Sequence, residues 1–197
     1  MMTPGFHPVP RGMVATIVTH LEMTNPPPMR AIEPLSNREI LPVTAPTVGW
    51  YREIFKAIGT PWLWWSRLAL DNAALEAIIT DPDVLIFTLN EDGKDIGLLE
   101  LDFRTTDECE LAFFGLVPGA TGTGGGRALM SHAIEQAFAR PITRFWVHTC
   151  TLDDPRALSF YRQSGFTPIA QEVEIAPDPR LAGHLPDDAG PHIPVFP

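Results

Sequence analysis

The chain has 197 residues, 14 Lys and Arg against 24 Asp and Glu for a net charge of −10, and 45% apolar side chains. That is the length of one domain of about 100–200 residues, 1–197, built on one core. The acidic balance excludes a general nucleic-acid surface, no apolar run approaches the roughly 18 residues of a membrane span, and the first residues lack the pattern of a leader peptide, so the chain reads as cytoplasmic.

Residues 1–12 form an N-terminal extension. Met13 to Met23 is rich in Val, Ile and Thr and reads as a strand, ended by Pro26 to Pro28. From Thr47 the period becomes helical, with Trp50, Ile54, Ala57 and Ile58 on one face, and Asp71 has the position of an N-cap for a second helix carrying Leu75, Ile78 and Ile79. Between the helices stand Trp62, Trp64 and Trp65. Val84 to Leu89 and Ile96 to Phe103 flank Glu91-Asp92-Gly93-Lys94, a hairpin signal because Asp-Gly supplies the positive φ angles of a tight turn. Glu108 to Val117 is a nearly continuous apolar run suited to a central strand covered on both faces.

The next segment, Pro118-Gly119-Ala120-Thr121-Gly122-Thr123-Gly124-Gly125-Gly126-Arg127, leads into a helical pattern from Ala128 to Ala139, with Leu129, Ala133, Ile134, Ala137 and Phe138 inward. Arg144 to Thr149 is a further strand. Asp154 followed by Pro155 reads as an N-cap and first helical residue, Gly165 ends the helix Pro155 to Ser164, and Phe166 to Ile175 is the last clear strand. Residues 177–197 form a proline-rich tail, in which His192 to Phe196 is the segment able to add a short strand. Cys109 and Cys150 are too few for a disulfide framework and too far apart for a zinc clip, so they read as reduced packing residues, and no metal is expected.

A strand that enters a glycine-rich loop and then a helix aims backbone N–H groups and the positive end of the helix dipole at one point, which suits a phosphate. A P-loop is excluded because Gly125 and Gly126 stand where Lys and Ser or Thr are needed. A dinucleotide fingerprint is excluded because Gly122-x-Gly124 continues to Arg127 and the preceding strand follows a hairpin.

The stretch from Ile96 to Ile169 resembles the GNAT N-acetyltransferase superfamily. Thr121-Gly122-Thr123-Gly124-Gly125-Gly126 stands at the place of that family's [QR]-x-x-G-x-[GA] loop, with Gly124 and Gly126 matching and Thr121 and Thr123 at positions that are often basic. A second block, Asp154-Pro155-Arg156-Ala157-Leu158-Ser159-Phe160-Tyr161 through Gly165-Phe166, is similar to the family's N-x-x-A-x-x-[FL]-Y-x-x-x-G-F segment, with Asp154 in place of Asn. The resemblance implies an α/β fold of the α+β type, a mixed and mostly antiparallel sheet of six to seven strands flanked by helices. It implies acetyl-CoA as cosubstrate, bound by Leu116, Val117, Thr121, Gly122, Thr123, Gly124, Gly125, Gly126, Arg127 and Asp154.

The activity it implies is transfer of an acetyl group to a primary amine by direct attack in a ternary complex. A CoA-binding or regulatory domain without catalysis is the alternative, since fold does not guarantee activity. Such transfer requires a proton acceptor for the amine, a donor to the developing oxyanion and a proton for the leaving thiolate. Tyr161 is the residue that the family motif marks as acid. Glu110 is the candidate base, with Glu108 as fallback: strand alternation places Glu110 on the face of Ala112, Phe114 and Leu116, where partial burial raises its pKa. His148 is a second candidate base, and the oxyanion donor is a backbone N–H near Leu116 or Val117. By resemblance the tryptophan segment borders the acceptor pocket, and with Glu53 and Asp71 nearby a cationic amine is the electrostatically favoured partner. The expectation includes neither nucleic acid nor membrane and is compatible with a homodimer.

Overall fold

The computed structural model describes residues 3–28 and 37–197, so the first two residues of the extension lie outside the described residues. One seven-stranded sheet has the order β2-β3-β4-β5-β6-β1-β7. Its strands are β1 (Met13–Met23), β2 (Arg38–Pro42), β3 (Val84–Glu91), β4 (Lys94–Asp102), β5 (Glu108–Leu116), β6 (Arg144–Cys150) and β7 (Thr167–Pro177). The helices are α1 (Val48–Gly59), α2 (Asn72–Ile79), α3 (Gly125–Phe138) and α4 (Ala157–Gln163). All pairs are antiparallel except β5 with β6. The expected mixed, mostly antiparallel α/β architecture is therefore the one observed.

Local chemistry accounts for most boundaries. Thr47 caps α1 by accepting from the Trp50 amide at 3.2 Å, and Asp71 caps α2 by accepting from Ala74 at 2.8 Å. Asp92 and Gly93 take φ of 51° and 84°, so both central residues of the β3–β4 turn lie in the left-handed region. The buried face of α1 is Tyr51, Ile54, Phe55 and Ile58 rather than the face through Trp50 and Ala57: Ala57 is exposed, and Trp50 is half-buried, its indole N–H donating to Asp95 at 2.8 Å. α3 starts at Gly125, three residues before the apolar pattern begins, because Gly124 in a left-handed conformation (φ 87°) turns the loop directly into the helix. α4 starts at Ala157, since Asp154 accepts from the Arg156 amide at 2.8 Å and holds Pro155 and Arg156 in a turn ahead of the helix.

Two layers cover the sheet. α1 and α2 pack Tyr51, Phe55, Ile58 and Leu75 against Val84, Ile86 and Leu98 on one face. α3 and α4 pack Leu129, Ala133 and Tyr161 against Leu99, Leu111 and Phe145 on the other. Each fully buried Leu, Ile or Phe contributes about 1.5–3 kcal/mol.

The seventh strand is β2 at one edge, paired with β3, and not the tail segment His192 to Phe196. The tail is nevertheless folded. Phe196 accepts from the Gly12 amide at 2.6 Å, Leu185 and Ala189 pack with Val14, Leu63 and Leu152, and the buried pair Asp178–Arg180 meets at 2.7 Å. Arg180 also donates to the carbonyls of Ala189 (3.1 Å) and Ile193 (2.9 Å), which fixes the returning chain.

Candidate active site

The central strands part where the chemistry is expected. β5 and β6 pair through three positions only, Glu108 with Arg144, Cys109 with Phe145 and Glu110 with Trp146. Beyond them each strand keeps its outer neighbour while the edges facing one another separate, and a cleft of about 1510 Å³ runs between them. Its walls include Glu110, His148 and Trp64 from one face of the sheet and Tyr161, Met130 and the glycine loop from the other. A small molecule can therefore reach both faces through one opening.

Backbone pairing selects the amides that face this opening. Val117 donates to Ile96 at 2.9 Å, so its N–H is already used by β4 and it is not the oxyanion donor. Residues alternate between hydrogen-bonded and outward-facing positions along an antiparallel pair. Leu116, opposite Gly97, therefore directs its backbone groups away from β4 and toward the cleft.

In the glycine loop, Thr121, Gly122, Gly124, Gly126 and Arg127 line the cleft. Among the described residues a Cβ at Gly119 or Gly122 would meet nothing within 4 Å, which leaves room there for a ligand, and their φ of 89° and 82° explain the choice of glycine. Thr123 and Gly125 belong to the other side. The Thr123 hydroxyl donates to the Ala120 carbonyl at 2.9 Å and accepts from Arg38, and Gly125 packs so closely on Leu89 that a Cβ would stand 2.8 Å from its side chain. These two residues brace the loop, and neither lines the cleft. Asp154 lines the cleft, but its carboxylate is engaged by Arg156, which holds it below the usual carboxylate range.

Glu110 does not share a face with Phe114 and Leu116. The register shifts by one residue at Ala112, with Leu101 opposite Leu111 and Glu100 opposite Phe113. The extra residue reverses the alternation and leaves Glu110 with Phe113 and Gly115 on the α1 side. Burial, reinforced by the neighbouring charge of Asp102 and opposed by Arg67, raises the Glu110 carboxyl to about 7. His148 Nδ1 lies 3.7 Å from Glu110 Oε1. Desolvation and the nearby His20 ring, 6.0 Å away between centroids, lower the His148 pKa. Glu108 instead faces Arg144 at 3.5 Å and lies outside the cleft.

Tyr161 is buried against Phe114, Phe160 and Phe166 on the α3 and α4 face. Burial and the charge of Asp153 push its phenol well above the ordinary value, and its hydroxyl finds no hydrogen-bond partner among the described residues. Cys109 and Cys150 are free, and burial raises both thiols, which makes them poor nucleophiles.

Several cleft residues escaped sequence reasoning. Arg67 donates to the fully buried Glu100 at 2.6 Å, and Tyr51 donates to the same carboxylate. The signal available was a Glu inside the apolar run Leu98-Leu99-Glu100-Leu101, which folds only if a partner cancels its charge. Asp102 is desolvated, yet hydrogen bonds from Arg104 hold it below the usual range. Glu174 also lines the cleft, whereas Glu53 and Asp71 do not.

The model of the acetyltransferase (GNAT) family matches residues 48–166. The chain belongs to the GNAT acetyltransferase family. Over 96 residues it is 34% identical to a mycothiol acetyltransferase of Beutenbergia cavernae, an alignment that covers 48% of this chain and 32% of that protein. The chain thus spans about a third of that relative's length. A GCN5-related N-acetyltransferase from Kribbella flavida shares the fold with a TM-score of 0.57 and 18% identity, covering 87% of this chain and 63% of the other. An aminoglycoside acetyltransferase from an uncultured soil metagenomic sample, solved with sisomicin, gives 0.53 and 13% over 65% of this chain and 87% of the other. GNAT acetyltransferases use acetyl-CoA, and the open glycine loop, the unpaired strand edge and the α3 N-terminus fit such a substrate. No helix among the described residues is long and apolar enough to cross a membrane.

Proposed function

We propose that this chain transfers an acetyl group from acetyl-CoA to a primary amine by direct attack. The observation that carries this reading is the parting of β5 and β6, which opens Glu110 and His148 on one face to the same cleft as Tyr161 and the glycine loop on the other. The loop amides around Gly122 and Gly124, with Arg127 beside them, would take the pyrophosphate, and the free β5 edge would pair with the amide-bearing arm of CoA.

The amine enters from the α1 side. Glu110, raised to about 7, is half ionised near neutral pH and takes the amine's proton directly or through a water. His148 stands beside it as a neutral imidazole able to pass that proton on. As the amine nitrogen bonds to the thioester carbon, the oxyanion accepts from the Leu116 N–H. The C–S bond then breaks, and the thiolate takes a hydrogen bond and a proton from Tyr161 at the opposite wall. On the acceptor side Arg67 is matched by Glu100 and Arg104 by Asp102, so the remaining charge there favours a cationic amine.

The test is a thermal melt with CoA, acetyl-CoA or ATP, followed by an amine screen that reads thiol release. Stabilisation by both CoA species and not by ATP, with turnover of at least one amine, supports the reading. Binding without turnover of any amine would make the chain a non-catalytic CoA-binding protein, and no binding would overturn both.

A further inference from the structure

One side chain crosses the opening between the parted strands. The Trp64 amide donates to Gly59 at 3.0 Å, after the turn Thr60–Trp62 and Leu63 in the left-handed region (φ 55°). The indole begins against Gly59, where an added Cβ would lie 2.4 Å from Trp64 Cβ. Its far ring edge reaches β5, with Cη2 3.2 Å from the Cβ position of Gly115, and its ring packs on Phe55 and Phe113. Its Nε1 donates to Asp153 Oδ1 at 3.1 Å. The other oxygen of Asp153 accepts from the Thr149 hydroxyl (2.7 Å) and the Cys150 amide (2.9 Å), which anchors it to the end of β6. The indole thus touches both walls where β5 and β6 have separated, on the face that carries Glu110.

We propose that Trp64 sets the acyl chain length, closing the Glu110 face of the opening so that an acetyl group fits beneath the indole and longer chains meet it. The inference rests on the reading of the cleft as an acyl-CoA site. A thioester whose sulfur lies near Tyr161 and whose carbonyl lies at Leu116 directs its acyl carbons toward the gap that Trp64 spans. The ring is braced on three sides, by Gly59, Phe113 and Asp153, so it resists displacement by added methylenes. No covalent step differs from acetyl transfer: the C–S bond breaks, the C–N bond forms, and the amine's proton leaves to Glu110.

The test measures binding of CoA, acetyl-CoA and butyryl-CoA by titration calorimetry, and turnover of the two thioesters with a responsive amine. Wild-type protein is expected to bind butyryl-CoA at least tenfold more weakly than acetyl-CoA, and Trp64→Ala to bring the two within threefold. Trp64→Phe keeps a ring on Phe113 and loses the reach to Asp153, so it should narrow the difference at least threefold even if the alanine variant folds poorly. CoA carries no acyl group and is the reference in every variant. Wild-type protein that binds CoA yet treats both thioesters alike overturns the role of Trp64 alone, as does a Trp64→Ala protein that binds CoA and still rejects butyryl-CoA. Wild-type protein that binds no CoA overturns the acyl-CoA reading and this inference together.

Discussion

His148 Nδ1 stands 3.7 Å from Glu110 Oε1, with Glu110 in the last pair that β5 makes with β6 and His148 two residues past its partner Trp146. With Glu110 raised to about 7 and His148 lowered, the carboxyl is the group of the pair that holds a proton near neutral pH, and the imidazole is mostly neutral. Proton transfer between them is therefore not blocked by a fixed ion pair.

Glu110→Gln should lower kcat by roughly 10²–10³-fold, the usual range for a lost general base. In wild-type protein kcat should rise with pH through about 7 as Glu110 ionises, and that limb should disappear in the variant. A pH profile that keeps the limb in Glu110→Gln would assign it to the amine or to His148.

The same carboxyl gives a stability prediction with a definite sign. Its folded-state pKa, about 7, is raised above the ordinary 4.5, so the folded state binds the proton more tightly than the unfolded chain. The penalty of ionising it is absent below the ordinary carboxylate range, grows as pH rises, and is complete above about 7. Glu110→Gln should therefore stabilise the fold by roughly 2–3 kcal/mol at pH 8, raising Tm by about 5–10 °C, and change little at pH 4. Equal Tm values for the two proteins at pH 8 would place the carboxyl in better solvent contact than its surroundings indicate.

Tyr161→Phe separates catalysis from packing. The side chain is buried, but its hydroxyl makes no hydrogen bond to the described residues and opens to the cleft, so its removal should leave Tm within about 3 °C of wild type. The same change should lower kcat on the order of tenfold to a hundredfold while KM for the amine moves less than threefold. A large fall in Tm with normal turnover would make Tyr161 a core residue only.

Gly122→Ala tests the loop. At φ 82° an alanine costs about 1–2 kcal/mol for the left-handed conformation, although no described residue comes within 4 Å of the added Cβ. The loop should shift off that conformation and weaken CoA binding at least tenfold in calorimetry, with a Tm change of only a few degrees because no described residue packs against Gly122. Unchanged affinity would move the pyrophosphate away from Gly122.

What was legible in sequence follows the range of the forces involved. The cap at Asp71, the start of helical period at Thr47, the Asp92-Gly93 turn and the strand–glycine loop–helix order depend on neighbours a few residues apart, and the structure has each of them. The face of Glu110 was misread because the one-residue shift at Ala112 arises from pairing with β4, which alternation within β5 does not report. The engagement of the Val117 amide and the Thr123 hydroxyl was hidden for the same reason: their partners, Ile96 and Arg38, come from strands distant in sequence. The short strand β2 gave no periodic signal over its five residues. The tail packs without regular structure, so nothing periodic announced it.

Arg180 gives the tail a test of its own. Its side chain is 3% exposed, paired to an Asp178 that is equally buried, and it donates to two tail carbonyls. Arg180→Met should cost about 3–5 kcal/mol, because Asp178 is left buried with no cation and the carbonyls lose their donor. Hydrogen bonds from Arg180 hold Asp178 below the usual carboxylate range, so this contribution is present above that range and is lost as pH falls through the depressed value. The tail also backs the tryptophan wall, with His192 against Trp62 at 5.7 Å and His184 stacked on Trp65 at 6.2 Å between ring centroids. Loosening it should therefore raise KM for the amine severalfold while CoA affinity holds, since no residue beyond Glu174 lines the cleft. If Tm and the amine KM both stay at wild-type values in Arg180→Met, and also in a chain ending at Ala176, the tail neither secures the core nor shapes the acceptor side.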